Sequence, residues 1–75
     1  MADHTKLRYP NGDTYAGEMM NNLRIGYGTM DYWNGDRYVG SWDEDKRSGT
    51  GMMNYSGGGC YEGGWANDKR AGRGR

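Results

Sequence analysis

NGDRYVGSWDEDKRSGTG, residues 34–51, is the stretch that decides the fold. It opens with a turn signal, continues as Tyr38-x-Gly40-x-Trp42, crosses a charged segment and closes on Gly49-x-Gly51. Shifting the frame by 23 residues recovers the same skeleton. Upstream it is Asn11-Gly12-Asp13, Tyr15-x-Gly17-x-Met19 and Gly26-x-Gly28; downstream it is Gly58, Tyr61-x-Gly63-x-Trp65 and Gly72-x-Gly74. Self-similarity at a fixed period marks a repeat architecture, in which each unit buries its apolar face against its neighbours. The chain divides into a lead-in over residues 1–8 and three repeats over 9–31, 32–54 and 55–75, the last incomplete.

At 75 residues the chain makes one small domain, a size at which a single core is marginal. Aliphatic residues are scarce: Leu7, Leu23, Ile25 and Val39 are the whole complement of Leu, Ile and Val, and there is no Phe. Seven Tyr, three Trp and six Met replace them, many in register with the repeat. Regular spacing of aromatics argues for order, with a core of amphipathic rings suited to a thin sheet whose tyrosine hydroxyls can still reach water. The formal net charge is zero, which argues against a binder that relies on neutralising phosphates. No run of about 18 apolar residues exists to span a membrane, and no signal-peptide pattern precedes the repeats. Cys60 is the single cysteine, so no internal disulfide forms. The expected location is cytoplasmic, either cytoskeletal or peripheral to a membrane.

Each repeat reads as two short strands. The first ends near Tyr9, Tyr32 or Tyr55; a Gly-containing turn follows; the second runs through Tyr15–Met19, Tyr38–Trp42 or Tyr61–Trp65, with period-two alternation that places the rings on one face. Parity constrains the turn. A two-residue turn at Asn34-Gly35 would pair Tyr32 with Arg37 and send the rings to opposite faces. A three-residue loop with a glycine bulge is therefore expected. Mid-strand glycines normally weaken a sheet, but here they flank aromatics in every copy and offer slots over which a ring can lie flat. Loops are expected at Met20–Ile25, Asp43–Ser48 and Ala66–Ala71, each carrying an arginine: Arg24, Arg47 and Arg70. The expected fold is all-β, a single-layer antiparallel meander of about three 23-residue hairpin repeats.

The combination of Tyr-x-Gly-x-Trp, Gly-x-Gly and a polar turn at this period resembles the MORN (membrane occupation and recognition nexus) repeat family, over residues 9–75. The sequence departs from the family pattern at Met19, which replaces the first Trp, at Gly57-Gly58-Gly59, and at Ile25, Ser48 and Ala71, where the family often has His. Such arrays occur in proteins as different as lipid kinases, a histone methyltransferase and cytoskeletal scaffolds. The resemblance therefore implies an interaction platform rather than one activity.

Two sets of residues are candidates for binding. The aromatic stripe, Tyr9, Tyr15, Tyr32, Tyr38, Trp42, Tyr55, Tyr61 and Trp65, either forms the core or stays partly open to receive a partner protein or another copy. A single sheet is expected to leave its inner face uncovered, and the lone chain to be barely stable without something to complete it. The arginine row, extended by Lys46, Lys69, Arg73 and Arg75, is the alternative: a contact for acidic phospholipid. Its plainer reading is a solvated set of loops neutralised by Asp43, Glu44, Asp45 and Asp68.

Other motifs carry less. Arg70–Arg75 resembles an arginine-glycine nucleic-acid tail, but its glycines belong to the repeat, so no nucleic acid is expected. Gly26-Tyr27-Gly28 lacks the third Gly and following helix of a dinucleotide loop. Asp43-x-Asp45 lacks the Gly and Glu of a calcium loop. His4 is the only histidine and no nucleophile–base pair recurs, so neither catalysis nor a cofactor or metal is expected.

Overall fold

A computed structural model of the chain describes the backbone of residues 3–74 and the side chains of residues 5–72. Seven strands, β1 (Asp3–Arg8), β2 (Thr14–Met20), β3 (Leu23–Asp31), β4 (Arg37–Asp43), β5 (Lys46–Asn54), β6 (Cys60–Ala66) and β7 (Lys69–Gly74), form one open sheet in the order of the sequence. Every pairing is antiparallel. The all-β meander expected from the repeat is the architecture.

Two kinds of turn alternate along it. Between β3 and β4, Tyr32 N–H donates to the Asp36 carbonyl at 2.9 Å and Gly35 N–H to the Tyr32 carbonyl at 2.9 Å. Trp33, Asn34 and Gly35 thus make a three-residue loop, with Gly35 in the left-handed region at φ 97°. The same bonds recur from Tyr9 and from Tyr55. This is the odd-length loop that parity demands, and it sets Met30 opposite Tyr38 and Gly28 opposite Gly40.

The other connections differ from expectation. The loops Met20–Ile25, Asp43–Ser48 and Ala66–Ala71 are two-residue turns: Asn21-Asn22, Glu44-Asp45 and Asn67-Asp68, with positive φ at both positions. That is the signature of a type I′ hairpin, whose twist matches the strands it joins. Asn and Asp tolerate this conformation because their short polar side chains bond locally. Arg24, Lys46, Arg47, Lys69 and Arg70 consequently lie in strands, not loops. The lead-in over 1–8 is corrected as well. Asp3–Arg8 is a strand, paired with β2 from Asp3↔Met19 to Arg8↔Thr14. It gives the otherwise open edge of β2 a hydrogen-bonding neighbour.

A line of glycines crosses the sheet: Gly17↔Gly28, Gly28↔Gly40, Gly40↔Gly51, Gly51↔Gly63 and Gly63↔Gly74 are all direct cross-strand partners. It removes side chains where the rings of the preceding strand fold down. A Cβ at Gly28 would overlap the Tyr15 hydroxyl, and one at Gly51 the Tyr38 hydroxyl. Beside this line the ladder slips. Between Gly17 and Met19 a single residue, Glu18, faces three on β3, Ile25 to Tyr27, and the bulge recurs in β5 and β7. The first glycine of each Gly-x-Gly turns the bulge, at φ 59° for Gly26. The two glycines therefore do different jobs: one bends the strand and the other admits a ring.

The tyrosine hydroxyls close the arrangement. Tyr15 O–H donates to the Glu18 carbonyl at 2.8 Å, Tyr38 to Ser41 at 2.9 Å and Tyr61 to Gly64 at 2.9 Å. Each acceptor is the residue that the bulged ladder skips, so the phenol satisfies a carbonyl the sheet leaves over. The core comprises Tyr15, Met19, Met30, Tyr38, Trp42, Met53, Tyr61 and Trp65, all on one face. One layer suffices because the rings lie down on the glycine line and cover one another.

Candidate functional site

The inner face is a ladder of rings set edge to face. Tyr15–Trp42, Tyr38–Trp42, Tyr38–Trp65 and Tyr61–Trp65 stand 5.1–5.6 Å apart at interplanar angles of 82–89°. This is the favoured geometry for ring quadrupoles. The indole N–H groups are also used: Trp42 Nε1 donates to the Gly28 carbonyl and Trp65 Nε1 to the Gly51 carbonyl, each at 3.2 Å. Both reach back to the second glycine of the preceding repeat. Tyr15 and Tyr38 are completely buried, and burial, the dominant cause, raises each phenol to about 12 despite the lowering influence of Arg24 and Arg47 respectively.

Of the two readings of the aromatic stripe, this burial matches the core for most of its members. Tyr15, Tyr38, Trp42, Tyr61 and Trp65 are core residues and present no ring to a partner. Tyr9 and Tyr32 are half-buried at the rim of the core, both with phenols raised chiefly by burial. Tyr55 is exposed.

The arginines complete the inner face. The Arg24 guanidinium lies 4.6 Å from the Trp42 ring and that of Arg47 lies 4.7 Å from the Trp65 ring. Each is held there by the turn of the next repeat. Arg24 Nε donates to Asp45 Oδ1 at 2.6 Å, Arg24 N–H donates to the same oxygen at 3.1 Å, and Nη2 donates to the Asp45 carbonyl at 2.9 Å. Asp45 N–H returns a bond to the Arg24 carbonyl at 3.0 Å. Arg47 and Asp68 repeat all four contacts. Burial raises the Asp45 carboxyl, but the hydrogen bonds and charge of Arg24 outweigh it and leave the group below its ordinary value.

Arg24 and Arg47 are therefore clamps between repeats, with their side chains only 17% and 19% exposed. They do not form a free cationic row. Lys46, Lys69 and Arg70 are exposed, and Arg70 lies 5.2 Å from the Tyr61 ring. The Arg73 side chain and Arg75 lie outside the described residues. The pairing was within reach of sequence reasoning, since Arg24 precedes Asp45 by the same interval as Arg47 precedes Asp68.

At the opposite end of the hairpins a second tie recurs. Asp13 Oδ1 accepts from Trp33 N–H and Asp36 Oδ1 from Ser56 N–H, each at 2.8 Å. Asn11 and Asn34 accept from Asp13 N–H and Asp36 N–H through Oδ1, and their Nδ2 groups donate to the Asp13 and Asp36 carboxylates at 3.1 and 3.3 Å, holding them in place. Neighbouring repeats are thus joined at both ends by an aspartate.

The outer face supplies the surface that sequence reasoning overlooked. Tyr27 is 63% exposed and Val39 is 41% exposed, beside a shallow groove of 480 Å³ whose floor is formed by the glycine line. Lys6, Ala16 and Thr29 border the groove. Met20 and Leu23, paired at a tight turn, are also exposed. The signal was available in the alternate positions of each strand, where Val39, Met52 and Tyr27 stand among polar residues. At a loop tip Trp33 is 70% exposed.

Among the described residues no group of three or more His, Cys, Asp or Glu side chains is placed to hold a metal ion. Cys60 is an exposed free thiol. A family model described as MORN repeat matches residues 15–37, 38–60 and 61–75, the same period that the glycine line and the clamps follow. No curated protein matches the chain.

Proposed function

The chain belongs to the MORN repeat family, and from that premise we propose that it is a non-catalytic module that binds a partner protein through the outer face of its sheet. MORN repeats are commonly protein- or membrane-interaction modules. The observation that carries the reading is the contrast in exposure: the rings of the inner face are consumed by the core, whereas Tyr27 and Val39 stand in solvent beside a groove. Aromatic residues on such a surface supply large contact area at low entropic cost. The glycine floor lets a partner side chain approach the backbone closely.

A photo-cross-linkable residue in place of Tyr27 or Val39 should capture a protein partner in cells, while the same residue in place of Glu44 should not. Equal labelling from all three positions would overturn the assignment. The lipid alternative has less support. Arg24 and Arg47 are engaged within the chain, and Lys46, Lys69 and Arg70 stand among Asp43, Glu44 and Asp68. Anionic surfaces are ordinarily met by clusters of about four to eight basic residues. Flotation with phosphatidylserine vesicles tests it directly, and binding lost on reversing Lys46 and Lys69 would restore it.

A further inference from the structure

Asn11-Gly12 and Asn34-Gly35 occupy equivalent places in two three-residue loops, and all four residues are exposed. Asparagine followed by glycine is the pairing most prone to lose its side-chain amide, because glycine has no side chain to shield its nitrogen. The glycine nitrogen attacks the asparagine Cγ, its proton passes to solvent base, and ammonia departs to leave a cyclic imide. Water then opens the imide at either carbonyl and gives aspartate or isoaspartate. Asn21, Asn22, Asn54 and Asn67 are followed instead by Asn22, Leu23, Tyr55 and Asp68, whose side chains hinder the attack.

In the folded loop both reacting groups are engaged. Gly12 N–H donates to the Tyr9 carbonyl and Gly35 N–H to the Tyr32 carbonyl, each at 2.9 Å. The amide is held from the other side. Asn34 Oδ1 accepts from Asp36 N–H at 3.0 Å while Nδ2 donates to Asp36 Oδ2 at 3.3 Å, and Asn11 does the same with Asp13. These are the aspartates that tie neighbouring repeats, through Asp13 Oδ1 to Trp33 N–H and Asp36 Oδ1 to Ser56 N–H. One carboxylate thus has one oxygen on the reactive amide and the other on the next repeat.

We propose that Asn11 and Asn34 are deamidation sites latched by these ties: an intact tie protects the amide, and a deamidated loop cannot remake the tie. Reaction requires Gly35 N–H to leave Tyr32 and the Asn34 amide to turn from Asp36, so it proceeds from a locally opened loop. The aspartate product exchanges a donor for an acceptor. Two carboxylates then face each other where Nδ2 and Oδ2 stood 3.3 Å apart, and their repulsion draws Asp36 off Ser56. The isoaspartate product routes the main chain through the side chain and adds a methylene to a loop whose odd length sets the face of each ring. In the third repeat Gly57-Gly58 stands at the same place, so that loop cannot react.

None of these residues borders the outer groove, so the result does not depend on the partner surface. The full chain is incubated in mildly alkaline buffer and each asparagine is followed by peptide mass spectrometry, with a peptide of residues 32–37 as the unlatched reference. Hydrogen bonds on both reacting groups must break, so Asn34 should react about a hundredfold more slowly in the chain than in the peptide. Asp36→Ala should raise the Asn34 rate about tenfold and leave Asn11 within about twofold, and Asp13→Ala should do the reverse. The converse dependence is read from Asn34→Asp, which installs one of the products. Its Ser56 amide should exchange about tenfold faster than in the native chain, while the Trp33 amide, tied to Asp13, is unchanged. A native chain that reacts as fast as the peptide, equal acceleration of both asparagines by either alanine variant, or a Ser56 amide unaltered by Asn34→Asp would each overturn the proposal.

Discussion

The two faces of this sheet are built from the same strands and have opposite fates. On the inner face, Tyr15, Tyr38, Trp42 and Trp65 are almost wholly enclosed; on the outer, Tyr27 and Val39 sit in solvent a single residue out of phase with the glycine line. Aromatic content alone does not distinguish them. The difference lies in what each ring finds beside it. An inner ring meets a glycine, a carbonyl released by a bulge and an arginine held by the next turn. An outer ring meets strand residues that all carry side chains or open onto the groove. Burial in a one-layer fold thus depends on vacancy in the neighbouring strand more than on a second layer.

Five perturbations test this contrast. The largest is alkaline pH. Because burial raises Tyr15 and Tyr38 to about 12, the folded state holds their protons more tightly than the unfolded chain does, and stability is complete below pH 10 and falls as pH rises through 12. Circular dichroism should show loss of the sheet in that window, together with late phenolate absorbance. Phenolate formation complete near pH 10 with the fold intact would show that the inner rings are not sealed.

Next comes Trp42→Ala, which empties a core position and should cost about 3–5 kcal/mol in denaturant unfolding. Gly51→Ala should follow at about 1–3 kcal/mol, because the added methyl displaces the Tyr38 ring. Gly57→Ala is its control, with nothing within 4 Å of the new Cβ. Asp45→Asn should cost less than about 1 kcal/mol, since the side chain is 42% exposed and solvent screens the pair. Its value lies in acid. Asp45 is depressed in the folded state, so its contribution is present above the ordinary carboxylate range and is lost as pH falls through the lower folded value. The variant should show a shallower acid decline. Smallest is Tyr27→Lys, expected within about 0.5 kcal/mol of the native chain. A large loss there would mean that the outer face is structural too.

Much of the fold was legible from the sequence because the repeat fixes spacing and parity fixes side. Tyr32, Gly35 and Tyr38 sufficed to predict an odd-length loop with a left-handed glycine. The tight turns were missed because Glu44-Asp45 reads as a charged segment and no glycine announces it; the left-handed conformation is adopted by Asn and Asp, and at Glu44 by a residue with no such preference. A strand ending near Tyr9 was expected, but its start at Asp3 was missed because Thr5 replaces the glycine that marks the same position in β3 and β5. The site was less legible. Sequence placed Tyr15 and Tyr38 on one face and marked glycines such as Gly28 and Gly51 as slots for a ring, but it could not show that the seated rings cover one another, and so left the face as either core or partly open. Arg24 and Arg47 read as a lipid contact or as solvated loops neutralised by nearby acids, and the specific clamps went unread because their carboxylates lie 21 positions away and across a strand.

The strand order has a kinetic consequence. β1 to β7 stand in space as they stand in the chain, and no described side-chain hydrogen bond joins residues more than 21 positions apart. Loop-closure entropy is therefore small at every step, and low contact order favours rapid assembly. Any hairpin can serve as the nucleus, and growth proceeds outward from it one strand at a time. Such a molecule behaves like a zipper with several starting points, in which each newly seated tyrosine prepares the place for the tryptophan that comes after it.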